Sequence, residues 1–193
     1  RNESYDDALI YFNNAIENNP KNGYAFTWIA MIRHTQEEYG RALTSVDLAL
    51  KNLPKKDSEF IAVTYNIRAG VYLALEDTIK ALNDYTSAIK VCPSDESSYE
   101  KRAQIYYEQK NYDLADNDYK QLIKLDQGGV MGYMGIGRNR NAQKLWDEAI
   151  EQFKSFRSQE GKALYNMFCE KLDAIATLLV NVENYEQGRE YAR

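Results

Sequence analysis

The sequence predicts an all-α chain folded as a solenoid of antiparallel helix hairpins, and three observations lead there. A motif returns in five full copies at a near-constant period, the mark of units that bury their apolar faces only against their neighbours. Within each copy the apolar and small positions are spaced by three, four and seven residues, so they share one face of a helix. The composition, 44% apolar and 27% charged with three prolines and ten glycines in 193 residues, is that of a folded chain rather than a disordered one.

The elements follow in order. "SYDDALIYFNNAIENNP", "EYGRALTSVDLALKNLP", "DTIKALNDYTSAIKVCP", "NYDLADNDYKQLIKLDQ" and "LWDEAIEQFKSFRSQEG" align without gaps on Ala8, Ala42, Ala81, Ala115 and Ala149, which stand 34, 39, 34 and 34 residues apart. A partial copy, "NYEQGREYAR", puts Gly188 in the same slot. Four residues after the alanine come Phe12, Val46, Tyr85, Tyr119 and Phe153, and seven after it Ala15, Ala49, Ala88, Leu122 and Phe156. Pro20, Pro54 and Pro93 close the first three copies, since proline lacks the donor a helix needs and restricts the residue before it. A second pattern precedes each copy. Phe26, Tyr65, Tyr99, Tyr133 and Leu172 lie sixteen residues upstream of the slot, and the small Ala30, Ala69, Ala103, Gly137 and Ala176 twelve upstream. A large residue followed four later by a small one lets two helices approach closely, so each unit reads as a first helix and a second helix.

The expected boundaries are 1–22 for a second helix lacking its first, 23–56, 57–95, 96–129 and 130–163 for whole repeats, and 164–193 for a truncated last repeat, all in one array. The linkers around "KKDSEF" and "EGKALYNMF" each carry five extra residues, read as an early start of the next helix, with Asp57 or Ser58 capping the first of them.

This pattern resembles the tetratricopeptide repeat across essentially the whole chain, with departures where Gln127 and Gly161 replace the closing proline and Thr78 an aromatic residue. The resemblance implies a right-handed α-α superhelix whose first helices line a concave groove for a peptide or protein segment. Carried onto these positions, the groove residues are Tyr24, Thr27, Met31 and His34, then Val63, Asn66, Gly70 and Leu73. They continue with Ser97, Glu100, Gln104 and Tyr107, and with Met131, Met134, Arg138 and Asn141. Family members that hold the acidic C-termini of chaperones use a clamp of lysines, an arginine and asparagines. Here the corresponding places hold Thr27, Met31, Ile67, Ser97 and Lys101, or one repeat later Asn66, Gly70, Lys101, Met131 and Gly135, so that clamp is not reproduced. Methionine and tyrosine make adaptable apolar contacts, and the expected ligand is an apolar extended or helical segment.

"GGVMGYMGIGRNRNA", residues 128–142, invites comparison with a phosphate-cradling loop. A dinucleotide fingerprint needs a preceding strand and a glycine where Arg140 stands, and a P-loop needs Gly-Lys-Ser/Thr. Gly137 and Tyr133 instead fill the small and large slots of a first helix, and Gly128 and Gly129 suit the turn before it. Gly132 and Gly135 read as close packing or tolerated weakness, with a flexible point or the close approach of a bound backbone as the alternative. An interior glycine costs about 1 kcal/mol against alanine, so Gly135→Ala is expected to raise the melting temperature and leave ligand affinity unchanged.

Nothing else assembles chemistry. His34 is far in sequence from Cys92 and Cys169, and Asp116 and Asp118 sit two apart in a helix pattern, aimed at different faces. No catalytic residue, cofactor or metal is expected. The net charge of −5 is interleaved along the chain, which argues against nucleic acid, and no apolar run reaches 18 residues, so no membrane insertion is expected within this stretch. The leading expectation is a non-catalytic scaffold or adaptor for a protein or peptide partner. A spacer or oligomerisation module of a longer protein is the alternative. A helical-toroid enzyme ranks below both, because its acids reduce to Glu100, Glu108 and Asp173 beside one histidine. Both ends stop inside a repeat, so the expectation is a longer array or self-association through open repeat ends. The compartment stays open between cytoplasmic and periplasmic or secreted.

Overall fold

The computed structural model describes residues 2–125 and 130–142; the side chain of Asn141, Gly128 and Gly129, and the repeats built on Ala149 and Gly188 fall outside the described residues. Eight helices and no strand occur among the described residues: α1 (Asn2–Asn18), α2 (Gly23–Thr35), α3 (Tyr39–Asn52), α4 (Ser58–Ala74), α5 (Thr78–Val91), α6 (Glu96–Glu108), α7 (Tyr112–Leu125) and α8 (Val130–Ala142). First helices are α2, α4, α6 and α8; second helices are α1, α3, α5 and α7. The chain divides into two compact units between Ser98 and Tyr99, after the first turn of α6.

In the first unit α2 packs on α3 and α4 on α5 as hairpins, with α1 against α2 and α3 against α4. The slot residues explain why. Ala30, Ala42, Ala49, Ala69, Ala81 and Ala88 are all fully buried, so the small residues sit where two helices come closest, with Val46 and Tyr85 filling the space beside them. Burial pushes the Tyr85 phenol up to about 12. The extra residues before the α4–α5 hairpin do lengthen its first helix: α4 has 17 residues against 13 in α2, and Asp57 caps it, Oδ1 accepting from Phe60 N at 3.2 Å. Asn22 caps α2 in the same way, accepting from Ala25 N at 3.1 Å.

Each hairpin turn repeats one device. Glu37, Glu76 and Lys110 adopt left-handed φ of 62°, 60° and 61°. The next residue's amide reaches back to close the turn, Glu38 N to Arg33 O, Asp77 N to Tyr72 O and Asn111 N to Tyr106 O, each at 2.8 Å. None of the three is glycine, which is why the sequence carried no sign of the conformation.

Two ion pairs with buried carboxylates each join the first helix of a hairpin to its second, one in each unit and one repeat apart. Arg68 on α4 grips Asp84 on α5 through Nε and Nη2, both at 2.8 Å; Arg102 on α6 grips Asp118 on α7 at 2.8 and 2.7 Å. The Asp84 contact also holds the Arg68 guanidinium above its ordinary range. In the α2 and α8 repeats an isoleucine, Ile29 or Ile136, occupies the arginine position and is buried there.

The second unit shows why α8 is rich in glycine, and overturns the expectation for Gly135→Ala. A Cβ on Gly135 would run into the Tyr119 ring, and one on Gly132 would lie 2.5 Å from Tyr119 O and 2.6 Å from Ile123 Cγ1. The backbone of α8 rests directly on α7, so these glycines are contacts rather than weak points. Asp116, buried at 2% exposure, joins the same two helices: Asn139 Nδ2 donates to its Oδ1 at 2.6 Å and Arg140 Nη2 lies 2.7 Å from its Oδ2. Asp116 and Asp118 therefore do face different partners.

Helix α1 departs from its counterparts. The slots closed by Asp84 and Asp118, at 5% and 4% exposure, correspond to Tyr11, which is 74% exposed. Ala8, Phe12 and Ala15 are half-buried where the other second helices are sealed. Among the described residues no first helix pairs with α1 as α2 pairs with α3.

Candidate functional site

In the first unit the outward face of α2 carries Tyr24, Trp28 and Met31 at positions i, i+4 and i+7, each near 38% exposed (38, 37 and 38%). Four rings form a continuous row. Phe12 stacks on Trp28 with centroids 6.4 Å apart, Trp28 meets Phe60 edge-on at 6.0 Å, and Tyr24 meets Phe60 edge-on at 4.8 Å. Such offset and edge contacts are the favoured geometries of aromatic quadrupoles, so the row is held in place with its faces still open to solvent. Tyr24 is anchored further by donating its hydroxyl to Asp57 Oδ2 at 2.7 Å, which raises the phenol above its ordinary value. Val63 on α4, 40% exposed, adds an apolar contact.

Not every expected groove residue lies open here. Thr27 is a correction: it is 1% exposed, its Oγ1 bonding Gly23 O at 3.1 Å and Thr64 Oγ1 at 2.9 Å, because the helix turns that position into the α2–α4 contact. Trp28, one residue on, stands in the open face instead. The 3–4 spacing from Tyr24 to Trp28 to Met31 would have found it. Phe60 was harder to find, since it comes from the extra residues of the α4 linker and has no counterpart in the repeat pattern. Asn66 is half-buried and engaged, donating to Asp95 Oδ2 at 2.7 Å and accepting from Ser98 Oγ at 2.6 Å. Leu73 is half-buried, and Gly70 receives the half-buried His34 imidazole, whose Cε1 would lie 3.0 Å from an added Cβ.

In the second unit three expected residues come together. Arg138 on α8 lies over the Tyr107 ring of α6, its Cζ 4.1 Å from the centroid, and its Nη2 donates to Gln104 Oε1 at 2.6 Å and to Tyr119 OH at 2.7 Å. Gln104 is fixed in turn by donating to Glu108 Oε1 at 2.7 Å. Burial raises the Tyr119 phenol, opposed by the Arg138 charge and hydrogen bond. Met131 is half exposed, Met134 and Glu100 are half-buried, and Asn141 belongs to α8 with its side chain outside the described residues.

The arrangement presents contact surfaces rather than reacting groups. Among the described residues no three His, Cys, Asp or Glu side chains converge as a metal site, and no helix is long and apolar enough to cross a membrane. The buried carboxylates Asp84, Asp116 and Asp118 are held in ion pairs by arginines. His34 has Tyr39 as its ring neighbour at 6.2 Å, and Cys92 lies against Ser94 at 3.4 Å.

Comparison with known proteins agrees with this geometry. Tetratricopeptide repeat family profiles match residues 1–57 and 96–128. The small glutamine-rich tetratricopeptide repeat-containing protein 2 of Saccharomyces cerevisiae is 33% identical over 112 residues, covering 57% of this chain and 32% of that protein. The mitochondrial import receptor subunit TOM34 of Rattus norvegicus is 31% identical over 104 residues, covering 52% and 34%. The chain thus spans about a third of the length of these curated relatives. Among solved structures, a tetratricopeptide repeat protein from Parabacteroides merdae superposes with a TM-score of 0.70 at 21% identity, covering 99% of this chain and 70% of that one, a likeness of fold.

Proposed function

The chain belongs to the tetratricopeptide repeat family, and on that premise we propose that it is a non-catalytic scaffold that holds an apolar segment of a partner protein on its first-helix faces. The observation that carries this reading is the open row of Tyr24, Trp28 and Met31 backed by Phe12 and Phe60. Rigid aromatic rings with an adaptable methionine beside them offer large contact area at low entropic cost, the profile of a binding hot spot. Their absence of charge favours apolar side chains over an acidic tail.

Affinity capture with the wild-type chain and a Trp28→Glu, Met31→Glu variant tests it. Trp28 also packs on Phe12 and Phe60, so the comparison is made at a temperature where melting curves show both chains folded. The partner retained by wild type should bind the variant at least about thirtyfold more weakly, as loss of a central aromatic anchor worth about 2 kcal/mol implies. Equal retention by both chains would remove this face from the function and leave the spacer reading.

A further inference from the structure

The aromatic row of α2 and α4 stands beside a carboxylate that no cation of the described residues neutralises. Asp57, half-buried at the start of α4, accepts from Phe60 N through Oδ1 at 3.2 Å and from the Tyr24 hydroxyl through Oδ2 at 2.7 Å. Both donors are uncharged. The buried carboxylates Asp84, Asp116 and Asp118, by contrast, each face an arginine at 2.7 or 2.8 Å. Lys55 and Lys56, the neighbours of Asp57 in sequence, are exposed, as is Glu59, and among the described residues no ion pair reaches Asp57. The α4 amides offset part of its charge, and the rest is open to a ligand.

The rings repeat the difference. Tyr65 and Tyr72 on α4, and Tyr99, Tyr106 and Tyr107 on α6, each have an arginine or lysine of the same chain 4.1 to 6.0 Å from the ring centroid. Phe12, Tyr24, Trp28 and Phe60 have none among the described residues, and the position that holds Arg68 and Arg102 in the next two first helices is Ile29 in α2. Tyr24 and Trp28 stand nearly perpendicular to Phe60, at 81° and 74°, so the faces of this group lie in more than one plane. A π face attracts a cation through its quadrupole, and a phenol that shares its proton with a carboxylate has a more electron-rich ring.

We propose that the Tyr24, Trp28 and Phe60 rings, together with Asp57, form a receptor for one basic side chain, a lysine or arginine set within the apolar segment that the first unit holds. This rests on the proposed binding function and adds the charge that its ligand carries. The stem of such a side chain is itself apolar, so its methylenes lie along Trp28 and Met31 while the charged end meets the ring faces and the Asp57 oxygens. The chain's net charge of −5 favours the approach of a basic segment. Asp57 is already held by its cap on α4 and by Tyr24 of the neighbouring hairpin, so little order is lost when the cation arrives.

The test is a display selection of random peptides against the whole chain, followed by affinity measurements on a selected peptide and two altered versions. Norleucine at the basic position keeps the stem and removes the charge; Nε-trimethyl-lysine keeps the charge and removes the N–H donors. Wild type is expected to enrich peptides with Lys or Arg at a fixed place among apolar residues, and to bind the basic peptide about tenfold more tightly than the norleucine one. Asp57→Asn keeps a capping side chain and removes the charge, and Trp28→Leu keeps the charge and removes the central ring. Each, at a temperature where its melting curve shows it folded, should narrow that gap to about threefold or less. The trimethyl-lysine peptide should keep most of its affinity for wild type and lose it on Trp28→Leu. Should either variant fail to fold, Tyr24→Phe, which keeps the ring and cuts its link to the carboxylate, takes its place and should narrow the same gap. Peptides enriched for apolar residues alone, or a gap that either variant leaves unchanged, the mark of general attraction to an acidic chain, would overturn the inference and leave the proposed function standing. Loss of the trimethyl-lysine peptide from wild type would overturn the role of the rings, and enrichment of no peptide at all would remove both the inference and the function it rests on.

Discussion

A single methyl group has opposite consequences at different helical glycines. At a solvent-facing one, alanine would gain helix propensity. At Gly135 it would meet the buried Tyr119 ring, which Arg138 holds in place. Gly135→Ala is therefore expected to lower stability by about 1–3 kcal/mol, the range for overpacking a fitted core; denaturant unfolding decides it, and an unchanged or higher midpoint would show that Tyr119 yields. Asp116 gives a second residue-level prediction. Burial, the largest influence, raises its carboxyl above the ordinary 3.8, against the lowering effects of Asn139 and Arg140. The folded chain then binds the proton more tightly than the unfolded chain. Its contribution to stability is complete below about pH 3.8 and is lost as pH rises through the raised folded value. The stability of wild type relative to Asp116→Asn should thus fall as pH rises from about 4, measured by unfolding at a series of pH values; a rise would reverse the assignment. The sequence pattern located Gly137 and Tyr133 correctly, but Gly132 and Gly135 were illegible, because a glycine demanded by a neighbour's backbone looks the same in one dimension as one merely tolerated.

At the scale of the element, the hairpin turns store strain at Glu37, Glu76 and Lys110. A left-handed residue with a Cβ costs about 1–2 kcal/mol that glycine avoids, less the entropy glycine loses on folding. Glu76→Gly is expected to stabilise the chain by about 0.5–1 kcal/mol in thermal or denaturant unfolding. A loss would mean that the side chain contributes more than its backbone costs. Removing the α2 cap with Asn22→Ala should cost about 1 kcal/mol by the same measurement. Caps and helix starts were readable, Asp57 among them, because capping is local chemistry between residues three apart. The ion pairs were not read in advance. Arg68 and Asp84 lie sixteen residues apart on different helices, and only knowledge of how α4 lies on α5 joins them.

Across the whole molecule, the repeat pattern foretold an all-α fold of helix hairpins because each slot alanine marks a contact that recurs. It said less about the surface. Tyr24 and Met31 were found in the open, yet Thr27 was not, since one helical position separates a groove from a packing seam. The paired charges carry a last consequence, for how such arrays are rebuilt by recombination. A breakpoint between α4 and α5 hands a carboxylate to whatever helix arrives, and an incoming α2, with Ile29 at the facing position, would leave Asp84 entombed without its cation. A breakpoint in the loop after α5 transfers lock and key together. The quantum of exchange is the hairpin, and among the hairpins described those of Arg68 and Arg102 share one key.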